Sequence, residues 1–287
     1  MELWFLYALG AAVFAALTTI LAKIGVTNVD SHVATAIRTT VVLIFAWAIV
    51  FSLGSFAEIP HIQSRTWVFL ILSGLATGGS WLCFLYALKI GDVNKVTPIS
   101  KSSTILTMIL AFIILSEPMS IITIIGMVLM GVGTWLMLEL KKGSAQKNDN
   151  KWIVFAVLTA VFASLTAIFG RLGVVDIDPN LFTALRTIVI LPLSIVMVLI
   201  TKSSDKIKSI DKKSWVFLTL SGLATGASWL FFYHALQMGN ASLVVPIDKL
   251  SIVITMLFAR IFLGERFTKK SLLGLILLTT GTLSLVI

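Results

Sequence analysis

The sequence predicts an all-α integral membrane protein of ten transmembrane helices, arranged as two inverted five-helix repeats. Three observations lead there. Hydrophobic residues make up 58% of the chain, charged residues only 12%, and the mean hydropathy is +1.03. A soluble domain carries about 25% charged residues, so long apolar runs on this background belong in a bilayer. The chain also repeats itself at a constant offset of 148 residues. Trp4 matches Trp152, Gly25 matches Gly173, Arg38 matches Arg186, Pro98 matches Pro246, Lys101 matches Lys249 and Glu117 matches Glu265. Of the 22 residues at 67–88, 17 equal their partners at 215–236. Finally, basic loops in one copy face base-poor loops in the other, as expected when the copies sit upside down to each other.

The boundaries that follow are a first repeat at 1–143, a linker at 144–150 and a second repeat at 151–287. A span needs roughly 20 mostly apolar residues. In the first repeat these are 3–22, 33–53, 66–88, 94–115 and 121–140. In the second they are 152–171, 181–201, 214–236, 242–263 and 271–287. The first run has no positive segment ahead of it, and its mid-chain counterpart at 152–171 cannot be a cleaved signal, so it is kept as a span. Trp4, Trp67, Trp152 and Trp215 stand at helix starts, where interfacial tryptophans collect.

Loop charge sets the orientation. Lys89 and Lys95 oppose a loop, 237–243, with no base. The single base of 54–65 opposes five lysines in 202–213. The loop 116–120 has none, against three bases in 264–270. Placing the lysine-rich side in the cytoplasm gathers 15 basic residues there, against Arg65 and Arg171 opposite, and puts both termini on the extracytoplasmic side of the cell membrane. The net charge of +9 is thus explained by topology, not by nucleic acid. Cys83 is the one cysteine, so the chain holds no internal disulfide and no zinc pattern. No phosphate-binding loop, dinucleotide fingerprint or nucleophile–base pair is present, which argues against an enzyme, a cofactor or an ATP-driven pump.

Several local patterns recur in order. The fourth span of each repeat has a proline near its start and a glutamate at its end: Pro98 with Glu117, and Pro246 with Glu265. The fifth carries spaced glycines: Gly126, Gly131 and Gly133, then Gly274 and Gly281. The third carries Gly-Leu-Ala-Thr-Gly. With these features the chain resembles the EamA branch of the drug/metabolite transporter superfamily over nearly its whole length. The resemblance implies alternating access for small metabolites through a central pocket lined mainly by spans 1, 3 and 4 of each repeat, with the fifth and tenth spans behind. It does not fix the substrate.

Lys101 and Lys249 are the leading substrate-binding candidates. Each lies seven residues into its span, about 10 Å below the boundary, where an ionisable group needs water or a partner. Each follows a proline by three residues, near freed backbone carbonyls. Thr97, Lys101, Thr104 and Met108 share a helical face. Holding an anionic group is one reading; snorkelling to the headgroups is the other.

Asp248 is the only acid well inside a span and has Ser100 as its counterpart. It is the candidate for coupling to a proton or ion, with helix capping or an ion pair as the alternative. Neighbouring residues on a helix point about 100° apart, so Asp248 is expected to face Lys101 or a polar residue of another helix rather than Lys249. His234, matched by Tyr86, could titrate near neutrality and is a second coupling candidate.

Arg38 and Arg186 either touch substrate or bond structurally. Trp81 and Trp229 either wall the pocket or pack helices. Thr18 and Thr166 share faces with aromatic residues, and packing is favoured there. Glu117 and Glu265 read as caps. The glycines of the fifth and tenth spans read as packing faces, within the chain or in a homodimer. The first and sixth spans lack an embedded acid, which weighs against a proton-driven cation exporter. The sequence thus points to a carrier of an amino acid or organic anion. A carrier or flippase for a lipid-linked or amphipathic head group is the alternative, as is a cationic-metabolite or drug exporter.

Overall fold

The computed structural model describes residues 2–26, 29–90, 93–137, 151–262 and 268–285, without the side chains of 93–95, 98, 208–209, 259–260 and 262. The linker 144–150, Glu265 and Arg266 lie outside the described residues. In hydrocarbon every backbone polar group must be bonded internally, which favours helices. The described residues form twelve α-helices. In the first repeat these are α1 (Leu3–Gly25), α2 (Ser31–Leu53), α3 (Ser64–Ile90), α4 (Val93–Lys101), α5 (Ser103–Leu115) and α6 (Ile121–Met137). In the second they are α7 (Lys151–Gly173), α8 (Pro179–Ile200), α9 (Lys212–Met238), α10 (Ala241–Asp248), α11 (Leu250–Phe262) and α12 (Lys269–Leu283). Seven runs are long and apolar enough to cross a membrane, with α10 and most of α11 counted as one over Ala241–Phe258. Ile99–Leu115 and Ile121–Met137 are shorter apolar runs.

Side chains seal several helix starts. The Asp30 carboxylate accepts the His32 N–H at 3.0 Å, and Asp178 accepts those of Asn180 and Leu181, each at 3.0 Å, with Pro179 opening α8. Asp211 and Thr268 do the same for α9 and α12. Gly54 ends α2 at φ 75°, a left-handed turn that glycine adopts without cost.

The fourth and ninth predicted spans are each two half-helices. Lys249 N–H bonds the Pro246 carbonyl at 2.9 Å, Ile252 N–H bonds that of Lys249 at 3.0 Å, and Ser102 N–H bonds that of Ile99 at 3.2 Å. These are i→i−3 bonds, tighter than α-helical ones. The tightening follows the prolines, which supply no N–H of their own and disturb the ladder around them.

The repeats interlock. The main partner of α1 is α9, and that of α3 is α7. Two mixed bundles result: α1, α2 and α9 with α10 and α11, and α7, α8 and α3 with α4 and α5. They meet where α2 packs on α8 and α5 on α10. Behind them α6 packs on α12. A Cβ built on Gly133 or on Gly274 would lie 2.6 Å from the other's carbonyl oxygen, so only glycine permits this approach. The spaced glycines are therefore used within the chain. Outward faces are apolar: Ile44, Ile113, Ile121 and Ile261 are 65–77% exposed, as lipid contact requires.

Candidate functional site

Serines and threonines of the repeated third-span motif sew the bundles. Ser73 Oγ donates to the Thr166 carbonyl and Ser221 Oγ to the Thr18 carbonyl, both at 2.9 Å. Ser80 donates to the Thr159 carbonyl at 3.2 Å and Ser228 to that of Ala11 at 3.0 Å. Thr77 and Thr166 hydroxyls lie 3.3 Å apart, as do those of Thr225 and Thr18. Every contact has its mate at the 148-residue offset. Thr18 and Thr166 thus serve the seam. Ser73, Thr77, Ser221 and Thr225 carry it and were not singled out from sequence; their signal was identity in both copies inside a span.

The two arginines break this symmetry. Arg186 is 2% exposed. Its Nε donates to Ser73 Oγ at 3.0 Å and its Nη2 to Thr77 Oγ1 at 2.5 Å, and its guanidinium lies 5.2 Å from the ring centres of both Trp229 and Tyr233. Arg38 donates from Nη2 to Thr225 Oγ1 at 2.9 Å, but its Nε is buried and without a partner among the described residues. Leu85 stands where the other repeat has Tyr233. Hydrogen bonds to a charged group contribute about 1.5–3 kcal/mol each and cation–π contacts about 0.5–2. Arg186 is thereby locked, while Arg38 faces a cavity.

That cavity, about 330 Å³, lies between the bundles. Ser31, His32 and Thr35 line one end, and Arg38, Trp81 and Trp229 line it further in. Trp81 and Phe84 also wall a second cavity of about 250 Å³, which holds Thr97, Ser100, Lys101, Thr104 and Lys249. Lys101, Thr104 and Lys249 in turn wall a third, of about 180 Å³, that extends to Trp135 on α6. A path of shared walls thus links Arg38 to both lysines. α2 takes a larger part in it than spans 1, 3 and 4 alone would suggest.

The structure brings Lys101 and Lys249 to common cavities. Lys101 is exposed to them and has no hydrogen-bond or ion-pair partner among the described residues. Asp248 does pair with Lys249, Oδ2 to Nζ 3.3 Å, contrary to the expectation from helical geometry. The reason is the break: α10 ends at Asp248, so the two residues no longer follow regular helical spacing. Met108, expected on the same face as Lys101, is instead buried against Met130.

His234 lines none of these three cavities. Its Nδ1 is 2.8 Å from the Leu230 carbonyl, and its ring stacks on Tyr7 at 5.0 Å. Tyr86 repeats the contact on Phe155 at 4.4 Å. Glu117 is a cap, but for a helix of the other repeat: its carboxylate accepts the N–H groups of Ala241 at 2.7 Å and Ser242 at 2.8 Å. Ser116, at φ 53°, turns the chain so that Glu117 reaches α10. Among the described residues no cluster of three or more His, Cys, Asp or Glu could hold a metal.

The profile of the EamA-like transporter family matches residues 2–139 and, separately, 150–287. A protein described as an uncharacterized transporter in the cobO 3′ region, from Sinorhizobium sp, is 43% identical over 134 residues, which are 47% of this chain and 95% of that protein. It therefore has about the length of one repeat. An uncharacterized protein of Methanocaldococcus jannaschii is 31% identical over 75 residues, covering 26% of this chain and 55% of that one. A crystal structure of a protein 14% identical in sequence superposes with a TM-score of 0.75 over 98% of this chain and 96% of the other, a likeness of fold.

Proposed function

The chain belongs to the EamA-like transporter family, and on that premise we propose that it carries a small metabolite bearing an anionic group, such as an amino acid or organic acid. The observation that carries this reading is Lys101. It stands at the broken middle of a span, open to a cavity it shares with Lys249, and the acid within its electrostatic reach, Asp248, is bonded to Lys249 instead. A cation in that setting calls for an anion from outside. Asp248 offsets Lys249 in part, leaving the pair with a net positive charge. Arg38, Trp81 and Trp229 would shape the adjoining cavity, and Asp248 would couple transport to a proton.

Alternating access would come from rocking of the mixed bundles about their pseudo-twofold axis. The interlocking of α1 with α9 and α3 with α7 supports these bundles, rather than the repeats 1–143 and 151–287, as the bodies that would move. The single chain is the transporting unit in this reading, with both termini extracytoplasmic. A C-terminal reporter fusion would check the orientation; cytoplasmic activity would reverse it.

The test is uptake of a panel of labelled amino acids and organic acids into proteoliposomes. Lys101→Ala and Lys249→Ala should each lower the rate at least tenfold at an unchanged protein level. Undiminished transport in both would remove the lysines from the site. Preference for cationic metabolites would remove the anion reading itself.

A further inference from the structure

We propose that the cavity reaching from Lys101 and Lys249 to Trp135 is a lateral site for a single-chain amphipathic carboxylate, whose head meets the lysines and whose alkyl chain lies along the seam between α5 and α6. The proposal rests on the lysines as an anion site and adds a second way in, from the bilayer. Several features of this cavity have no place in a purely aqueous path.

Its inner end carries the two ammonium groups. Its walls are Ile105, Met130, Ile252 and Leu278. Its rim is Trp135, 55% exposed on the outer surface of the bundle. A charged end, apolar walls and a mouth at the lipid surface match one kind of molecule: an anion with an alkyl tail, which can leave its chain in hydrocarbon while its head is neutralised.

The packing around the mouth favours such an opening. α6 makes its main contact with α12 and only a slight one with α5. Gly131 lines the cavity, and a Cβ there would lie 2.8 Å from Ile105 Cδ1, so glycine lets the flexible tip of Ile105 on α5 rest against α6 with no bulkier side chain in the seam. Lys270 lies 5.6 Å from the Trp135 ring centre. Lysine and tryptophan together mark the headgroup level of a membrane, so the rim lies where the head of an amphipathic anion in the leaflet first meets the protein.

The experiment uses the full chain in phosphatidylcholine nanodiscs and measures equilibrium binding of radiolabelled laurate. Saturable binding is expected, competed by unlabelled laurate but not by dodecyltrimethylammonium. Gly131→Leu and Thr134→Phe, which fill the cavity from α6 and leave both lysines in the chain, should each weaken binding at least tenfold. Lys101→Ala should weaken it as much. Thermal melting checks that each variant is folded, and two separate fillings guard against one that is not.

If laurate binding is lost in Lys101→Ala but kept in both filling variants, the lateral site is wrong while the lysine reading stands. If binding is non-saturable, or equal in all variants, the lateral site is likewise overturned. The uptake of small polar anions by Lys101→Ala and Lys249→Ala, with the α5–α6 seam unaltered, then decides the lysine reading separately.

Discussion

The Glu117 carboxylate accepts the backbone N–H of Ser242 at 2.8 Å, across 125 residues of sequence. With the companion bond to Ala241, it satisfies two of the free N–H groups at the start of α10 and sets a negative charge against the helix dipole. This links the end of one half-helix pair to the beginning of the other.

Glu117→Ala should therefore destabilise the chain by roughly 2–3 kcal/mol, since it strips two charge-assisted bonds at a buried site. Glu117→Gln retains one neutral acceptor and should cost about half as much. Thermal melting in detergent reads both. Equal melting of wild type and Glu117→Ala would mean that the cap contributes nothing.

The arginine pair predicts a split between folding and transport. Arg186→Leu leaves Ser73 and Thr77 without their donor and empties the space against Trp229 and Tyr233. It should cost about 3 kcal/mol or more and lower the melting temperature sharply. Arg38→Leu loses one bond and should melt close to wild type while transport falls. A larger stability loss at Arg38 than at Arg186 would contradict the assignment.

Access should be one-sided. Thr35 lines the Arg38 cavity, whereas its mate Thr183 is fully buried. In a Cys83→Ser background, Thr35→Cys should react with a membrane-impermeant maleimide applied to inside-out vesicles, and Thr183→Cys should be protected. Comparable labelling of both would show that the cavity is not confined to one face.

A pH effect follows from Asp30, outside the spans. Burial pushes its carboxyl up. The bond from Lys206 at 3.0 Å, the His32 N–H and the Ser203 hydroxyl outweigh that and hold it below the usual carboxylate range. A depressed folded-state value means the stabilisation is complete above the ordinary aspartate value of about 4 and is lost as pH falls through the folded value. Asp30→Asn should melt lower than wild type at neutral pH, with the gap closing in acid. A gap that widened on acidification would reverse the sign.

Much of the architecture was legible in the chain. Apolar run lengths located the spans, because a bilayer fixes how long a helix must be. The 148-residue offset and the swapped loop charges revealed two inverted units. Pro98 and Pro246 pointed to irregular fourth and ninth spans, though not to complete breaks at Ser102 and Lys249. The candidate site was legible in part: Lys101, Lys249, Arg38, Trp81 and Trp229 were singled out and line linked cavities. The pairing of Asp248 with Lys249 was missed because it depends on the helix ending between them.

By itself the sequence determined composition, span order and the positions that are equivalent by repetition, since these depend only on local hydrophobicity and on matching residues. The tertiary structure decided which equivalent residues are used alike. Arg38 and Arg186 read the same in the sequence, yet one makes two side-chain hydrogen bonds and lies over two aromatic rings, and the other borders a cavity. Glu117 reads as a local cap, yet serves a helix of the other repeat. The physical reason is that hydrogen bonds act over about 3 Å, and their partners here lie 100 to 200 residues away. Only the packing of α1 on α9, α3 on α7 and α6 on α12 brings them within that range.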